Sequence, residues 1–211
     1  MEYQPILYKD RTDAGIKIGH TLKKMDLDQP VVFAIPFGGV PVGKEIARAL
    51  NAPLDLIITR KIQYPWTTEA GFGAITADGT LYYGPEARIL PKDVVKMQTL
   101  KAREDVEQRK NRLLKGKKRT NIKGKTVILV DDGLATGSSM LAAIQSIKNE
   151  KPGKIIVAVP TASGRAAKLI KPHVDQMISL YIHPENLPFA VASSYQNWYD
   201  LSEEEVINYL R

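Results

Sequence analysis

The chain has 211 residues, 44% of them hydrophobic, with 30 Lys or Arg against 23 Asp or Glu and no cysteine. That length admits a single domain with a substantial core. Without cysteine there are no disulfides and no thiolate metal sites, and no apolar run is long enough to cross a bilayer. The first dozen residues are polar and show no apolar signal core, so a cytoplasmic chain with no membrane partner is expected. Charge is uneven. Between Lys92 and Lys125, 13 Lys or Arg stand against 4 Asp or Glu. Such a segment is either a solvated helix face or the footprint of an anionic partner, nucleic acid or a small polyphosphate.

In chain order, Asp10–Met25 reads as a helix, with Ala14, Ile18, Leu22 and Met25 at three- and four-residue spacing. Val31–Ile35 is a buried strand, Pro36-Phe37-Gly38-Gly39 a turn and Val42–Leu50 a helix. Leu54–Thr59 is a second strand that ends in Arg60-Lys61. From Ile62 to Pro91 the pattern breaks into Gly and Pro punctuation. Asp78-Gly79 is placed there as a hairpin turn between Phe72–Thr76 and Thr80–Tyr83, and the segment is read as a functional cover. Lys92–Lys115 is a long basic helix. Its Val94, Val95, Met97, Leu100, Val106 and Leu113 are expected in the core. Strands at Val127–Val130, Lys154–Pro160 and Val174–Tyr181 alternate with helices at Ser138–Lys148 and Ala162–Ile170. Ser202–Leu210 closes the chain, with Ser202 and Glu205 spaced as a capping box. Strands alternating with helices predict an α/β protein with a mainly parallel central sheet and flanking helices.

The chemistry concentrates in Val127–Ser139, VILVDDGLATGSS. Four apolar residues end in Asp131 and Asp132 at the carboxyl end of a strand, where open α/β sheets bind ligands. Gly133 and Gly137 permit tight turns. Residues 135–139 then present amide N–H groups and the hydroxyls of Thr136, Ser138 and Ser139 at a helix start, which favours a phosphate. Acids beside a phosphate cradle make sense when the acids face hydroxyls or a divalent cation, and a sugar phosphate offers hydroxyls on one side and phosphate on the other. The segment lacks the Gly-Lys-Ser/Thr ending of a P-loop and the GxGxxG of a dinucleotide fold. The three histidines, His20, His173 and His183, lack metal-ligand spacing and read as structural or exposed.

Val127–Ser139 resembles the thirteen-residue motif with which type I phosphoribosyltransferases bind 5-phosphoribosyl-1-pyrophosphate (PRPP). The resemblance implies that fold, with a mobile hairpin loop and a small hood built from the two termini. It also implies that Asp131 and Asp132 bind the ribose hydroxyls near a Mg²⁺ cofactor held indirectly, and that Ala135, Thr136, Gly137, Ser138 and Ser139 hold the 5′-phosphate. Pro36-Phe37-Gly38-Gly39-Val40 resembles the family's pyrophosphate loop, often built around a non-proline cis peptide, with Phe37, Gly38 and Gly39 as contacts; many relatives carry a basic residue where Phe37 stands. Thr59-Arg60-Lys61 followed by Pro65 resembles the basic opening of the family's mobile loop, so Arg60 and Lys61 are expected to act on pyrophosphate and to replace the missing charge. Lys101, Arg103, Arg109 and Arg112 are further candidates to face the cleft.

The runs YKDRTDAG, GGVPVGKEIARALNAPLDLIITRKI, EAGFGAI and FAVASSYQNW extend the resemblance, over nearly the whole chain, to a little-characterised branch of that family. The implied organisation is one domain over 1–211, with 62–91 a flexible loop and 161–200 an acceptor hood. Phe189, Tyr195 and Trp198 are candidates to stack on a base. The implied activity is Mg²⁺-dependent transfer of 5-phosphoribose to a nitrogenous acceptor with release of pyrophosphate, by a homodimer. Purine-using members often carry an acid where Ala135 stands, which argues against hypoxanthine or guanine. The alternatives are a PRPP- or nucleotide-sensing regulator that binds nucleic acid through the basic helix, and a hydrolase acting on PRPP without an acceptor.

Overall fold

The computed structural model describes residues 4–67 and 70–210. Five strands form a parallel sheet in the order β2-β1-β6-β7-β8: β1 (Val31–Ala34), β2 (Leu54–Leu56), β6 (Thr126–Val130), β7 (Lys154–Ser163) and β8 (Gln176–His183). β1 and β6 are buried at every position, as expected of strands covered on both faces. Alternation along β1 sends Phe33 to one side and Val32 to the other. Phe33 joins Leu129 and Val157 under α4 (Ser138–Asn149) and α5 (Gly164–Ile170). Val32 joins Ile128 and Ile156 under α1 (Arg11–Leu22) and α2 (Gly39–Leu50).

A second sheet is antiparallel, in the order β3-β4-β5: β3 (Thr59–Gln63), β4 (Gly71–Thr76) and β5 (Leu81–Tyr83). What reads in the sequence as one strand, Leu54–Thr59, is therefore two. The chain leaves the parallel sheet after Leu56 and re-enters strand geometry at Thr59 in the other sheet. The expected hairpin is present, with Gly79 at φ +89° in its turn. It is more than a cover, because Ile62, Phe72 and Ile75 are fully buried. They pack with Ala102, Val106 and Leu113 of α3 (Lys92–Leu114). The Asp78 carboxylate at the turn accepts a hydrogen bond from Ser146 Oγ of α4 at 2.6 Å, which ties the hairpin to the main layer.

The buried stripe of α3 runs through Thr99, Ala102, Val106 and Leu113. That phase turns Met97 (58% exposed) and Leu100 (52% exposed) outward, against the expectation that they join the core. The capping box at Ser202 and Glu205 forms as expected at the start of α6 (Glu203–Tyr209). Among the described residues no helix is long and apolar enough to cross a membrane.

Candidate functional site

Strand order places the site. From β1 the chain passes through α2 to β2 on one side, and from β6 it passes through α4 to β7 on the other. Adjacent strands whose connections diverge leave a crevice at their carboxyl ends. Two loops border it, Pro36–Gly38 after β1 and Asp131–Gly137 after β6. The Pro36–Phe37 peptide is cis. The loops touch: a Cβ on Gly38 would overlap the Asp132 carboxylate, and one on Gly39 would come within 2.8 Å of Val130 O. Only glycine lets the first loop approach so closely.

The β6 loop is held from the side of β7. Leu134 N–H donates to Thr161 O at 3.0 Å, Ser163 N–H donates to Leu134 O at 2.8 Å, and Ser163 Oγ donates to Ala135 O at 2.7 Å. The crest, Ala135 and Thr136, stays exposed. Gly137, at φ +82°, turns the chain into α4. Helices α1, α5 and α6 are capped by the side chains of Asp10, Ser163 and Ser202, whereas α2, α3 and α4 have no side-chain cap; of these, α2 and α4 start at the crevice. None of the N–H groups from Ala135 to Ser139 meets a backbone acceptor among the described residues. Open amides at a helix start form an anion cradle. In the β1 loop, Gly39 N–H is taken by Ile35 O at 3.0 Å. The Phe37 and Gly38 N–H groups are therefore the ones left to meet a ligand.

The two acids differ. Asp132 is buried, and its Oδ2 lies 2.8 Å from Arg11 Nε. Arg11 also donates from Nη1 to Tyr199 O at 2.8 Å and stacks on the Trp198 ring at 3.9 Å. Tyr195 Oη donates to Asp132 O at 2.6 Å. Asp131 is half-buried and pairs with no cation among the described residues; its Oδ1 accepts from Asp132 N–H at 2.9 Å. Burial, and next the negative charge of Asp132, hold the Asp131 carboxyl well above the usual carboxylate range. Burial also raises Asp132, with Arg11 opposing it. Among the described residues no group of three or more His, Cys, Asp or Glu is placed to hold a metal ion.

Arg11 escaped the sequence reading. The only signal for it was an arginine at the first position of a helix, where the dipole disfavours a cation. Nor do all three hood aromatics stand ready for a base. Tyr195 is buried, 4% exposed, and packs with Tyr8 and Trp198 in a cluster that joins residues 7–14 to 191–198. It is a strut under Asp132. Tyr195→Phe is expected to destabilise the protein by about 1–2 kcal/mol, because it strips the donor from a buried carbonyl; urea unfolding measures this. Arg60 and Lys61 are neighbours on β3, so their side chains project to opposite faces. Arg60 meets Asp105 of α3 at 3.2 Å, while the Lys61 stem lies against Gly71. Of the four α3 cations singled out, Lys101, Arg103 and Arg112 are exposed and only Arg109 is half-buried. His20 and His173 are exposed; His183 is buried, with Nε2 unpartnered among the described residues.

A five-stranded parallel sheet with an acid pair and an open helix start at its switch point defines an α/β protein with a ligand crevice at the carboxyl ends of its strands. The phosphoribosyl transferase domain family matches residues 8–191, and the chain belongs to that family. A Mycobacterium tuberculosis protein named "Putative phosphoribosyl transferase Rv0571c" is 32% identical over 97% of this chain, which spans only 46% of that relative. The crystal structure of TT1426 from Thermus thermophilus matches with a TM-score of 0.80 at 32% identity, over 97% of each chain. A hypoxanthine phosphoribosyltransferase from Staphylococcus aureus shares the fold, with a TM-score of 0.51 at 13% identity over 86% of this chain and 78% of its own.

Proposed function

We propose that the protein is a pentosyltransferase that moves 5-phosphoribose from PRPP to a small nitrogenous acceptor and releases pyrophosphate. The observation that carries this reading is the single crevice in which the Asp131–Asp132 pair presses against the Phe37–Gly38 loop while the uncapped start of α4 opens beside it. The open amides of residues 135–139, with the hydroxyls of Thr136, Ser138 and Ser139, take the 5′-phosphate. The ribose hydroxyls donate to Asp131 and Asp132, and the pyrophosphate lies at the Phe37 and Gly38 amides. The bond from the anomeric carbon to pyrophosphate oxygen breaks, its electron pair leaving with pyrophosphate. The acceptor nitrogen bonds to that carbon and gives up its proton. The acid pair lies beside a sugar ring that becomes cationic in the transition state, which its charge stabilises.

The acid pair fits a divalent cation in part. Arg11 answers Asp132 and leaves Asp131 available, but among the described residues no third carboxylate joins the pair. Asp131 and Asp132 would therefore hold a Mg²⁺ only indirectly, through substrate hydroxyls or water. Bound there, Mg²⁺ supplies charge neutralisation to the departing pyrophosphate. Ala135 brings no carboxylate to an acceptor nitrogen, in keeping with an acceptor other than hypoxanthine or guanine. A cleft of about 270 Å³ lined by Arg11, Thr12, Pro41, Asn197 and Tyr199 shares Arg11 with the acid pair and matches a small acceptor in size. The reading includes a homodimer, which light scattering checks.

The test is pyrophosphate release from PRPP and Mg²⁺ against a panel of nitrogenous bases. Acceptor-dependent release is expected, with Asp131→Asn lowering it about 100-fold or more. Absence of both PRPP binding and turnover would overturn the reading, and release at the same rate without any acceptor would point to hydrolysis instead. The named relatives above lend no support to a nucleic-acid-binding regulator.

A further inference from the structure

In the loop after β1, which borders the acid pair, a cation stands on the ring of Phe37. The Arg109 guanidinium carbon lies 4.5 Å from the Phe37 ring centroid. Arg109 sits three residues after Val106 and four before Leu113, both buried, so it belongs to the inward stripe of α3. Two more arginines gather there, each already engaged: Arg60 with Asp105 at 3.2 Å and Arg112 with Glu203 at 2.8 Å. Arg109 has no carboxylate partner among the described residues, so the group keeps one charge unanswered against the loop.

We propose that Arg109, borne on α3 and seated on Phe37, is the cation that binds the pyrophosphate end of PRPP beside the Phe37–Gly38 amides. This rests on the PRPP reading of the same crevice. A planar guanidinium stacks on a ring through its face and keeps its N–H edge for phosphate oxygens, so one side chain serves both contacts. Burial, then the charges of Arg60 and Arg112, disfavour the protonated guanidinium; an arriving anion relieves that cost. The Phe37 ring and Arg109 together thus couple α3, with the second sheet packed on it, to the leaving group.

Calorimetric titration with PRPP and with ribose 5-phosphate, each with Mg²⁺, tests this. Ribose 5-phosphate shares the phosphate and the ring hydroxyls but lacks pyrophosphate. Arg109→Gln is expected to weaken PRPP about tenfold or more while ribose 5-phosphate affinity stays within about twofold. Phe37→Arg added to Arg109→Gln is expected to restore PRPP binding, since it returns a cation to the loop. Arg109→Lys, which keeps the charge without the planar fork, should fall between and serves if the glutamine variant does not fold. Equal loss for both ligands, or unchanged PRPP affinity, overturns the role of Arg109 while leaving PRPP binding intact. Wild-type protein that binds ribose 5-phosphate but not PRPP overturns the functional reading itself, and this proposal with it.

Discussion

Asp131→Asn is expected to raise the stability of the ligand-free protein at neutral pH and Asp132→Asn to lower it, although the two residues are neighbours in one motif. Asp132 is one half of a buried ion pair with Arg11. Neutralising it leaves the guanidinium charged and buried, at a cost of about 3–5 kcal/mol, roughly 6–20 °C in Tm for a chain of this length. Asp131 pairs with no cation among the described residues, and its folded carboxyl is held well above the usual range by burial and by Asp132. Below about pH 4 it is protonated in both the folded and the unfolded chain and contributes nothing. As pH rises through the elevated folded value, the unfolded chain ionises freely while the folded chain must bear a buried charge, so stability falls across that window. Asparagine escapes the fall and keeps the hydrogen bond from Asp132 N–H. The gain of Asp131→Asn over wild type should be near zero in acid and grow to about 0.5–2 kcal/mol at neutral pH. Scanning calorimetry between pH 3 and 8 measures it. A variant that is less stable than wild type at pH 7, or a gain that shrinks with rising pH, would place a cation at Asp131 instead. The same variant is expected to lose turnover, in which case Asp131 trades stability for function.

Gly38→Ala is expected to cost both fold and ligand. The added Cβ overlaps the Asp132 carboxylate. That carboxylate cannot swing aside freely, because Arg11 grips it and is itself fixed by Tyr199 O and the Trp198 face. Forcing the loops apart should destabilise the protein by about 1–3 kcal/mol and weaken PRPP about 100-fold or more, since a displacement near 1 Å at a binding constellation has effects of that size. A double-mutant cycle isolates the cause. In an Asp132→Ala background the obstructing atoms are gone, so Gly38→Ala should then cost little. Additive losses would show that the alanine acts on the loop by some other route.

Much of this could be read from local pattern. Val127–Val130 followed by two acids and Gly-rich turns marks a strand end whatever surrounds it, because a run of four apolar residues has few other places in a domain of this size. Asp78-Gly79, Ser202 with Glu205 and the period of α1 were legible for the same reason: each depends on contacts within a few residues. The errors fall where distant packing intervenes. Leu54–Thr59 looks continuous, yet it divides because Leu56 is the last residue opposite β1 and Thr59 the first opposite β4. Met97 and Leu100 are as apolar as Val106, but the phase of α3 was set by Phe72 and Ile75 on the sheet beneath it. Tyr195 looked available to a base until the hydrogen bond to Asp132 O occupied its hydroxyl.

The sequence by itself determined the parallel α/β class, the acid pair and the open helix start of Val127–Ser139, since strand, turn and helix start lie within thirteen consecutive residues. Tertiary structure alone decided what those acids meet. Arg11 lies 121 residues from Asp132 in sequence, and Arg109 lies 72 positions beyond Phe37. Charge complementarity across such separations leaves no periodic trace in the chain. Only the order of strands, which sets β1 beside β6, and the packing of α3 on the second sheet bring those arginines to the two loops.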